Sequence, residues 1–314
     1  MEALISSSVD IIIVMVALGL AWGAITSAKL FKAIVLFTAF GLVMALAWVR
    51  LNAPDVALAE ASIGAGLTGA LLLTAYKNLR ASALTVDVEL KGRANDMRTM
   101  ASLMLMVVVA VGLGYAVWML PSEAIGLSVD VAADLDNSGV SNPVTAVLLN
   151  FRGYDTLLEL FVLLLALLAV WSLELPEESA ETPPNLVLVT LSRLLTPIMI
   201  LVAAYILWVG AYEPGGAFQA GAILAAAGVL MLLSGTQVPK VMTGWSLRLL
   251  LVLGPAIFLL LGMITGLMEG RFLQLPPEYA GTLILVIEIA ATLSIAATLI
   301  ALFIGVRPSK EKSL

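Results

Sequence analysis

The sequence contains no cysteine and no histidine, and only 12% of its 314 residues are charged. Without these two residue types the chain cannot form disulfides, thiol nucleophiles, CxxC or HExxH zinc sites, or the usual haem and iron–sulfur ligation. Basic residues are also few: 16 Lys and Arg stand against 22 Asp and Glu, and the net charge of −6 argues against nucleic-acid binding. We therefore expect no metal site, no cofactor and no nucleic-acid partner.

Apolar residues make up 61% of the chain, and the mean hydropathy is +1.07. A soluble domain has about 45–50% apolar residues and about 25% charged residues, so a water-soluble enzyme is excluded. A membrane-spanning helix needs about 20 mostly apolar residues. The runs are too long and too continuous for the alternating strands of a barrel. The sequence predicts an all-α, multi-pass protein of the plasma membrane with about nine spans, near residues 9–27, 31–49, 56–76, 100–120, 156–173, 195–211, 218–235, 247–268 and 281–304.

The basic residues predict how the spans are oriented. With the N-terminus outside and the C-terminus cytoplasmic, thirteen Lys and Arg residues fall in cytoplasmic segments, and Arg50, Arg152 and Arg271 fall outside. This bias follows the positive-inside rule. The first ten residues contain no basic residue, so we do not expect the first span to be a cleaved signal peptide.

Long polar segments divide the chain into three predicted blocks. A mixed-charge loop (77–99) ends the first block of three spans, residues 1–99. The second block, 100–185, has two spans, an outside acidic loop (121–143) that ends in the turn residues 136–139, and an acidic stretch (174–185). The third block, 186–314, has four spans. No sequence repeat relates the blocks, so the sequence does not favour a transporter built from inverted repeats.

Carboxyl groups inside predicted spans are the main candidates for chemistry. Glu60, Glu159 and Glu288 lie within spans, and no Lys, Arg or His lies deep in a span to pair with them. A carboxyl in hydrocarbon costs about 2.5–3.5 kcal/mol on insertion scales. Its environment favours the neutral form, which suits a group that must load and release a proton. The structural alternative is a neutral carboxyl that hydrogen-bonds a neighbouring helix, but three such acids in one chain favour an ion path.

The third span begins with features of a helix N-terminus. Pro54 suits the first helical position, and Asp55 lies beside the positive end of the helix dipole. Small residues follow Glu60 at four-residue intervals, and such a stripe predicts close packing against another helix. These residues are Ser62, Gly66 and Ala70.

Asp155 and Glu159 are four residues apart and therefore share a helix face. Arg152 lies three residues before Asp155, and we expect the two to pair as an anchor at the membrane interface. Glu159 lies one turn deeper, which makes it the better candidate for an ion path.

A Pro-Gly-Gly turn joins the sixth and seventh spans. Residues 213–221 read EPGGAFQAG, and such a turn leaves backbone groups free near the membrane surface. Glu213, Gly215, Gly216 and Gln219 are candidates to line an ion entrance. A plain interhelical turn is the simpler interpretation of this segment.

Three segments resemble one family, in the order of the three blocks. LNAPDVALAEA (51–61) resembles the MbhD-like region found near the C-terminus of the large Mrp antiporter subunit and in membrane-bound hydrogenases. VLLNFRGYDTLLE (147–159) is similar to the MbhE-like segment that follows that region, and PGGAFQAG (214–221) resembles the PGGGFQ-G signature of the MrpB/MnhB-like subunit. The family usually has histidines before this signature, where the present chain has Val209 and Ala211, and Ala217 replaces the third glycine.

The resemblance implies an accessory membrane subunit of a multisubunit Na⁺(cation)/proton antiporter, or of a related redox-driven, ion-pumping complex. Its partners would be antiporter-like and small membrane subunits, with a peripheral redox module in the second case. The resemblance also implies that Glu60 and Glu159 serve an ion path at a subunit boundary. The chain would serve in transport and would not be an enzyme.

Other hypotheses stay open at this point. The chain could be a structural connector that links antiporter-like subunits to a partner module and moves no ion. An independent small-solute transporter would have to work alone after reconstitution. An intramembrane hydrolase is disfavoured, because no Ser/Lys, Ser/His or paired-Asp set stands out.

Overall fold

The computed structural model describes residues 2–83, 96–120, 126–173, 186–235, 242 and 244–305, which form helices and turns without a strand. The all-α prediction is thus confirmed for this part of the chain. The acidic stretch 174–185 and most of the loop 77–99 lie outside the described residues. The orientation of the termini and the boundaries of the three blocks stay predictions.

Each of the nine predicted spans falls on a helix. Eight helical segments in the described ranges are long and apolar enough to cross a membrane. The seventh predicted span falls on a helix of 17 residues, at the short end of the range for spanning helices. The long elements are α1 (Glu2–Thr26), α2 (Leu30–Arg50), α4 (Thr68–Ala83), α5 (Asp96–Trp118), α8 (Gly153–Ser172), α9 (Leu186–Val209), α10 (Ala217–Leu233), α11 (Gly244–Glu269) and α12 (Ala280–Ile304).

The third span is not a regular α-helix. It starts as α3 (Pro54–Ala59), continues as a π-helical segment π1 (Glu60–Leu67) and runs on into α4. The expected Ser62/Gly66/Ala70 packing stripe is wrong, because the close contacts with α2 involve Ala65 and Gly69. The wider π-helical turns change which residues face the neighbouring helix.

The described part of the predicted outside loop before the fifth span is made of short helical elements. It contains α6 (Ser128–Asp134), a 3₁₀ turn (Leu135–Ser138) and α7 (Pro143–Ala146), which leads into a second π-helical segment, π2 (Val147–Phe151). The predicted turn at 136–139 is present, and Gly139 adopts a φ of 80°. Asn142 caps α7, because its side chain accepts a hydrogen bond from the Val144 amide.

Helix α12 forms the centre of the C-terminal helices and packs against α8, α10 and α11. Small residues such as Ala291, Ser294 and Ala297 let its neighbours approach closely. A Cβ added at Gly221 of α10 would lie 2.8 Å from the Ile295 side chain. Helix α10 also contacts α3 and π1, so the N-terminal spans and the C-terminal helices meet at its N-terminal half.

Helix α9 begins earlier than the predicted span 195–211. It starts at Leu186, so Arg193 lies two turns inside a helix that is long enough to span the membrane. No basic residue was expected deep in a span, and Arg193 lies further inside the helix than the predicted bounds placed it. The apolar residues before Arg193 belong to the same helix. The charge of Arg193 lowers the local hydropathy, so the predicted span began after it.

Candidate functional site

The Pro-Gly-Gly turn between α9 and α10 is held tightly against the end of α9. The Gly216 amide donates a hydrogen bond of 3.0 Å to the Ile206 carbonyl. A Cβ at Gly215 would lie 2.5 Å from the same carbonyl oxygen, and a Cβ at Gly210 would lie 2.5 Å from the Gly216 nitrogen. Glycine is therefore required at Gly210 and Gly215, because the backbones nearly touch there.

Gly216 places the N-terminus of α10 against the buried carboxyl of Glu288. Gly216 has φ 111° and ψ −168°, a conformation that is essentially restricted to glycine. Its missing Cβ would lie 2.9 Å from Glu288 Oε1. The backbone amide of Ala217, the first residue of α10, hydrogen-bonds to the Glu288 carboxyl. The helix dipole stabilises negative charge at this position, and Glu288 is only 2% exposed.

Asp55 approaches the same turn from the first block. The Gly215 amide donates a hydrogen bond to Asp55 Oδ1 at 3.1 Å, and Gln219 Nε2 donates to the Asp55 carbonyl at 3.1 Å. Asp55 is 7% exposed. The backbone amides of Gly215 and Ala217 thus bind carboxyl groups from two distant parts of the chain, and the Gln219 side chain binds the Asp55 main chain. A role of residues 213–221 as an ion entrance stays a prediction.

The segment 142–156 closes the site from a third direction. Thr145 Oγ1 donates to the Gly210 carbonyl at 2.6 Å, and Asn142 Nδ2 donates to the Glu213 carbonyl at 2.9 Å. Thr156 Oγ1 donates to the Leu148 carbonyl within π2 at 2.6 Å. The first two bonds fasten α7 to the end of α9, and the third joins α8 to π2.

The three parts enclose a cavity of about 280 Å³. Its lining is mostly apolar, but it includes the carboxyl-bearing residues Asp55, Glu159 and Glu288 and no basic residue. Glu159 is exposed, so it lies at the rim, whereas the other two acids are buried. The lining residues are Asp55, Val56, Ala59, Ile63, Val144, Thr145, Leu148, Leu149, Thr156, Glu159, Gly215, Gly216, Ala217, Phe218, Gln219, Glu288 and Ala291.

Other predicted site residues lie outside this lining. Glu60 is half-buried at the start of π1, next to the lining residue Ala59, and its carboxyl occupies the space that a Cβ at Gly64 would need. Asp155 pairs with Arg152 at 2.5 Å, as expected for an interfacial anchor. Glu213 is exposed, and only its backbone carbonyl takes part in fastening the segment 142–156.

Sequence reasoning missed two features. The π-helical segments both contribute to the cavity lining, and such segments occur frequently at functional sites. Asp10 and Arg50 form an ion pair, with 2.7 Å between Arg50 Nε and Asp10 Oδ1, that joins α1 to α2. Asp10 and Arg50 lie near the same membrane end of two adjacent predicted spans, and this placement could have predicted the ion pair.

Two family models match the chain. Residues 15–81 match MbhD, the D-type subunit of MBH, and residues 187–307 match a "domain related to MnhB subunit of Na+/H+ antiporter". The matches fall within the first and third predicted blocks. The MbhE-like resemblance of the middle block stays a prediction.

Known proteins show the same relationship. The A/B subunit of a probable K⁺/H⁺ antiporter from Rhizobium meliloti (strain 1021) is 25% identical over an alignment of 240 residues, and the match covers 64% of this chain and 23% of that protein. The fold is similar to a chain of the Mrp complex from Dietzia sp. DQ12-45-1b, with a TM-score of 0.73, 23% identity, and coverage of 96% of this chain and 35% of that one. A chain of the membrane-bound sulfane sulfur reductase, an archaeal respiratory membrane complex, matches with a TM-score of 0.55, 25% identity, and coverage of 67% and 97%.

Long apolar helices and a carboxyl-bearing cavity define a multi-pass membrane protein, here of a prokaryotic plasma membrane. The chain joins a region that matches MbhD to a region related to MnhB, the arrangement of an Mrp/Mbh-type fusion, and it is related to antiporter membrane subunits. It spans about a quarter of the length of the curated relative and about a third of the Mrp chain.

Proposed function

We propose that this chain conducts protons as an accessory subunit of a multisubunit cation/proton antiporter. The observation that carries the proposal is the convergence of three carboxyl-bearing residues, from all three predicted blocks, on one cavity without a basic residue. A neutral carboxyl next to a second carboxyl can pass on a proton, directly or through water, and polar or ionisable groups within membranes mark such relays. The antiporter relatives, described as Na⁺/H⁺ and K⁺/H⁺ systems, support the same proposal.

Within the cavity we assign different roles to the acids. Glu288 is the buried proton-carrying group, because it is the least exposed acid of the lining and contacts the turn at the N-terminus of α10. Glu159 at the rim exchanges protons with a neighbouring subunit. Asp55 accepts hydrogen bonds from the turn and positions it. Glu60, outside the lining but next to it, is proposed to continue the path along π1.

The exposed rim also supports a partner at this face. An exposed Glu159 inside a span would otherwise face hydrocarbon, at a cost of about 2.5–3.5 kcal/mol for a charged acid on insertion scales. We propose that an antiporter-like or small membrane subunit covers this face. A related respiratory complex supports a second arrangement, with a redox module among the partners. Mild-detergent purification and mass spectrometry of the copurifying subunits would distinguish the two.

The test measures cation-dependent proton movement in everted membrane vesicles that contain the assembled complex. We expect Glu288→Gln, which keeps the size of the side chain but cannot carry a proton, to lower transport at least tenfold while the complex still assembles. Glu159→Gln and Glu60→Gln test the rim and π1 separately. Glu278→Gln is the matched control, because Glu278 is exposed in the loop before α12 and outside the cavity lining.

The outcomes separate conduction from a purely structural role. A structural connector predicts that Glu60, Glu159 and Glu288 can be neutralised together with transport unchanged. Full transport by Glu288→Gln alone would refute the role given to that residue. Running the assay with Na⁺ and with K⁺ identifies the exchanged cation.

A further inference from the structure

A second cavity lies between α9 and α10, at the opposite membrane end from the carboxyl cavity. Its volume is about 470 Å³. The Pro-Gly-Gly turn joins the end of α9 to the start of α10, so the first turns of α9 and the last turn of α10 lie together at the other end of this helix pair. The lining contains polar residues from both helices, among them Ser192, Arg193, Thr196 and Ser234.

Arg193 is a cation inside a long apolar helix. Its side chain is exposed, and it forms no ion pair with any residue that the structure describes. An arginine within a span is costly, and such residues usually pair with an opposite charge or reach an aqueous space. The guanidinium presents five donors in a planar fork that matches a phosphate group.

Thr196 provides an independent indication of a ligand. Its Oγ1 is buried and has no hydrogen-bond partner among the described residues, although buried hydroxyl groups are normally satisfied. It lines the cavity together with Pro197. Because proline has no amide hydrogen, the Arg193 carbonyl also lacks its usual helical donor. A ligand that accepts from Arg193 and Thr196 and carries its own hydroxyl would satisfy these groups together.

We infer that this cavity binds the phosphate of an anionic phospholipid headgroup. Its position between two spanning helices near a membrane surface favours a lipid over a free ion, because basic pockets between membrane helices bind anionic headgroups. Phosphatidylglycerol fits the chemistry, since it has a net negative phosphodiester and hydroxyl groups. A choline headgroup would place a second cation beside Arg193. The inference does not depend on proton conduction by the carboxyl cavity.

Native mass spectrometry of the full chain, purified with the subunits that accompany it, measures lipid retention after addition of phosphatidylglycerol or phosphatidylcholine. We expect preferential retention of phosphatidylglycerol, a loss of about tenfold or more in Arg193→Gln, and a smaller loss of about threefold in Thr196→Val, because hydrogen bonds to charged groups are the stronger ones. Arg248→Gln is the matched control. Arg248 lies early in α11, which follows α10, and its guanidinium lies 5.4 Å from the centroid of the Trp245 ring.

Several results would overturn the inference. These are equal retention of the two lipids, unchanged retention by Arg193→Gln, and an equal loss in Arg248→Gln, which would indicate general surface attraction. Displacement of the lipid by millimolar inorganic phosphate would assign the cavity to a free anion instead. If Arg193→Gln does not fold, Arg193→Lys is the second variant, because it keeps the positive charge but lacks the planar guanidinium. We expect it to retain an intermediate amount of phosphatidylglycerol. Retention of phosphatidylglycerol equal to that of the unmodified chain would contradict bidentate phosphate binding.

Discussion

Replacing Gly216 by alanine should disturb the carboxyl cavity. The backbone at Gly216, with φ 111° and ψ −168°, lies in a region where other residues cost about 1–3 kcal/mol. The added Cβ would also stand 2.9 Å from Glu288 Oε1, so the carboxyl must move away from the Ala217 amide. Loss of that hydrogen bond adds about 0.5–1.5 kcal/mol. We therefore expect Gly216→Ala to destabilise the protein by about 2–4 kcal/mol.

Thermal unfolding of the purified protein in detergent measures the stability, and the vesicle transport assay measures the function. The denaturation midpoint should fall by several degrees, and transport should fall together with it because Glu288 is displaced. Gly112→Ala is the control: nothing lies within 4 Å of a Cβ added at Gly112 in α5, and alanine favours a helix by about 1 kcal/mol over glycine. A Gly216→Ala variant with an unchanged midpoint and full transport would refute the assigned role of the turn.

Two further substitutions test how the site is held together. Thr145→Val removes the hydroxyl that donates to the Gly210 carbonyl at 2.6 Å, and we expect a loss of about 0.5–1.5 kcal/mol in the same unfolding measurement; an unaltered midpoint would show that this bond contributes nothing net. Gly221→Val places a Cβ 2.8 Å from Ile295 Cγ2 and should cost about 1–3 kcal/mol through overpacking. The double variant with Ile295→Ala should recover part of this loss, and strict additivity of the two changes would argue against direct contact.

The helices were predictable from the sequence because a bilayer requires long apolar segments, and composition alone reveals these. The ends of the helices were less predictable. Arg193 lowers the local hydropathy, so the predicted span began at 195, whereas the helix starts at Leu186. Hydropathy reflects the free-energy cost of placing a charged side chain in hydrocarbon. It does not show whether a polar cavity surrounds that side chain instead.

The acids of the site were also predictable one by one, since each is an expensive exception in an apolar segment. Their arrangement was not predictable. The pairing of Asp155 with Arg152 was expected, but the meeting of Glu159 with Asp55 and Glu288 in one cavity lining was not. The contact of Glu288 with the turn depends on the positive φ of Gly216, and periodicity carries no information about packing between helices that are distant in sequence.

Glu60 shows a further limit. A regular helix was expected around it, but a π-helical segment begins at this residue. A π-helical segment changes the phase of all following side chains, so face assignments made with a period of 3.6 fail beyond it. The small residues that tolerate this geometry, such as Gly64 and Gly66, are equally typical of ordinary helix packing.

The convergence of distant segments on one cavity has a consequence for assembly. Asp55, Glu159 and Glu288 lie on parts of the chain that match or resemble separate regions, but here they share one polypeptide. Covalent linkage turns the meeting of these regions into an intramolecular step, with an effective concentration in the millimolar range for short flexible linkers. It also fixes their stoichiometry at one to one. The three acids are therefore brought together whenever the chain folds, at any level of expression.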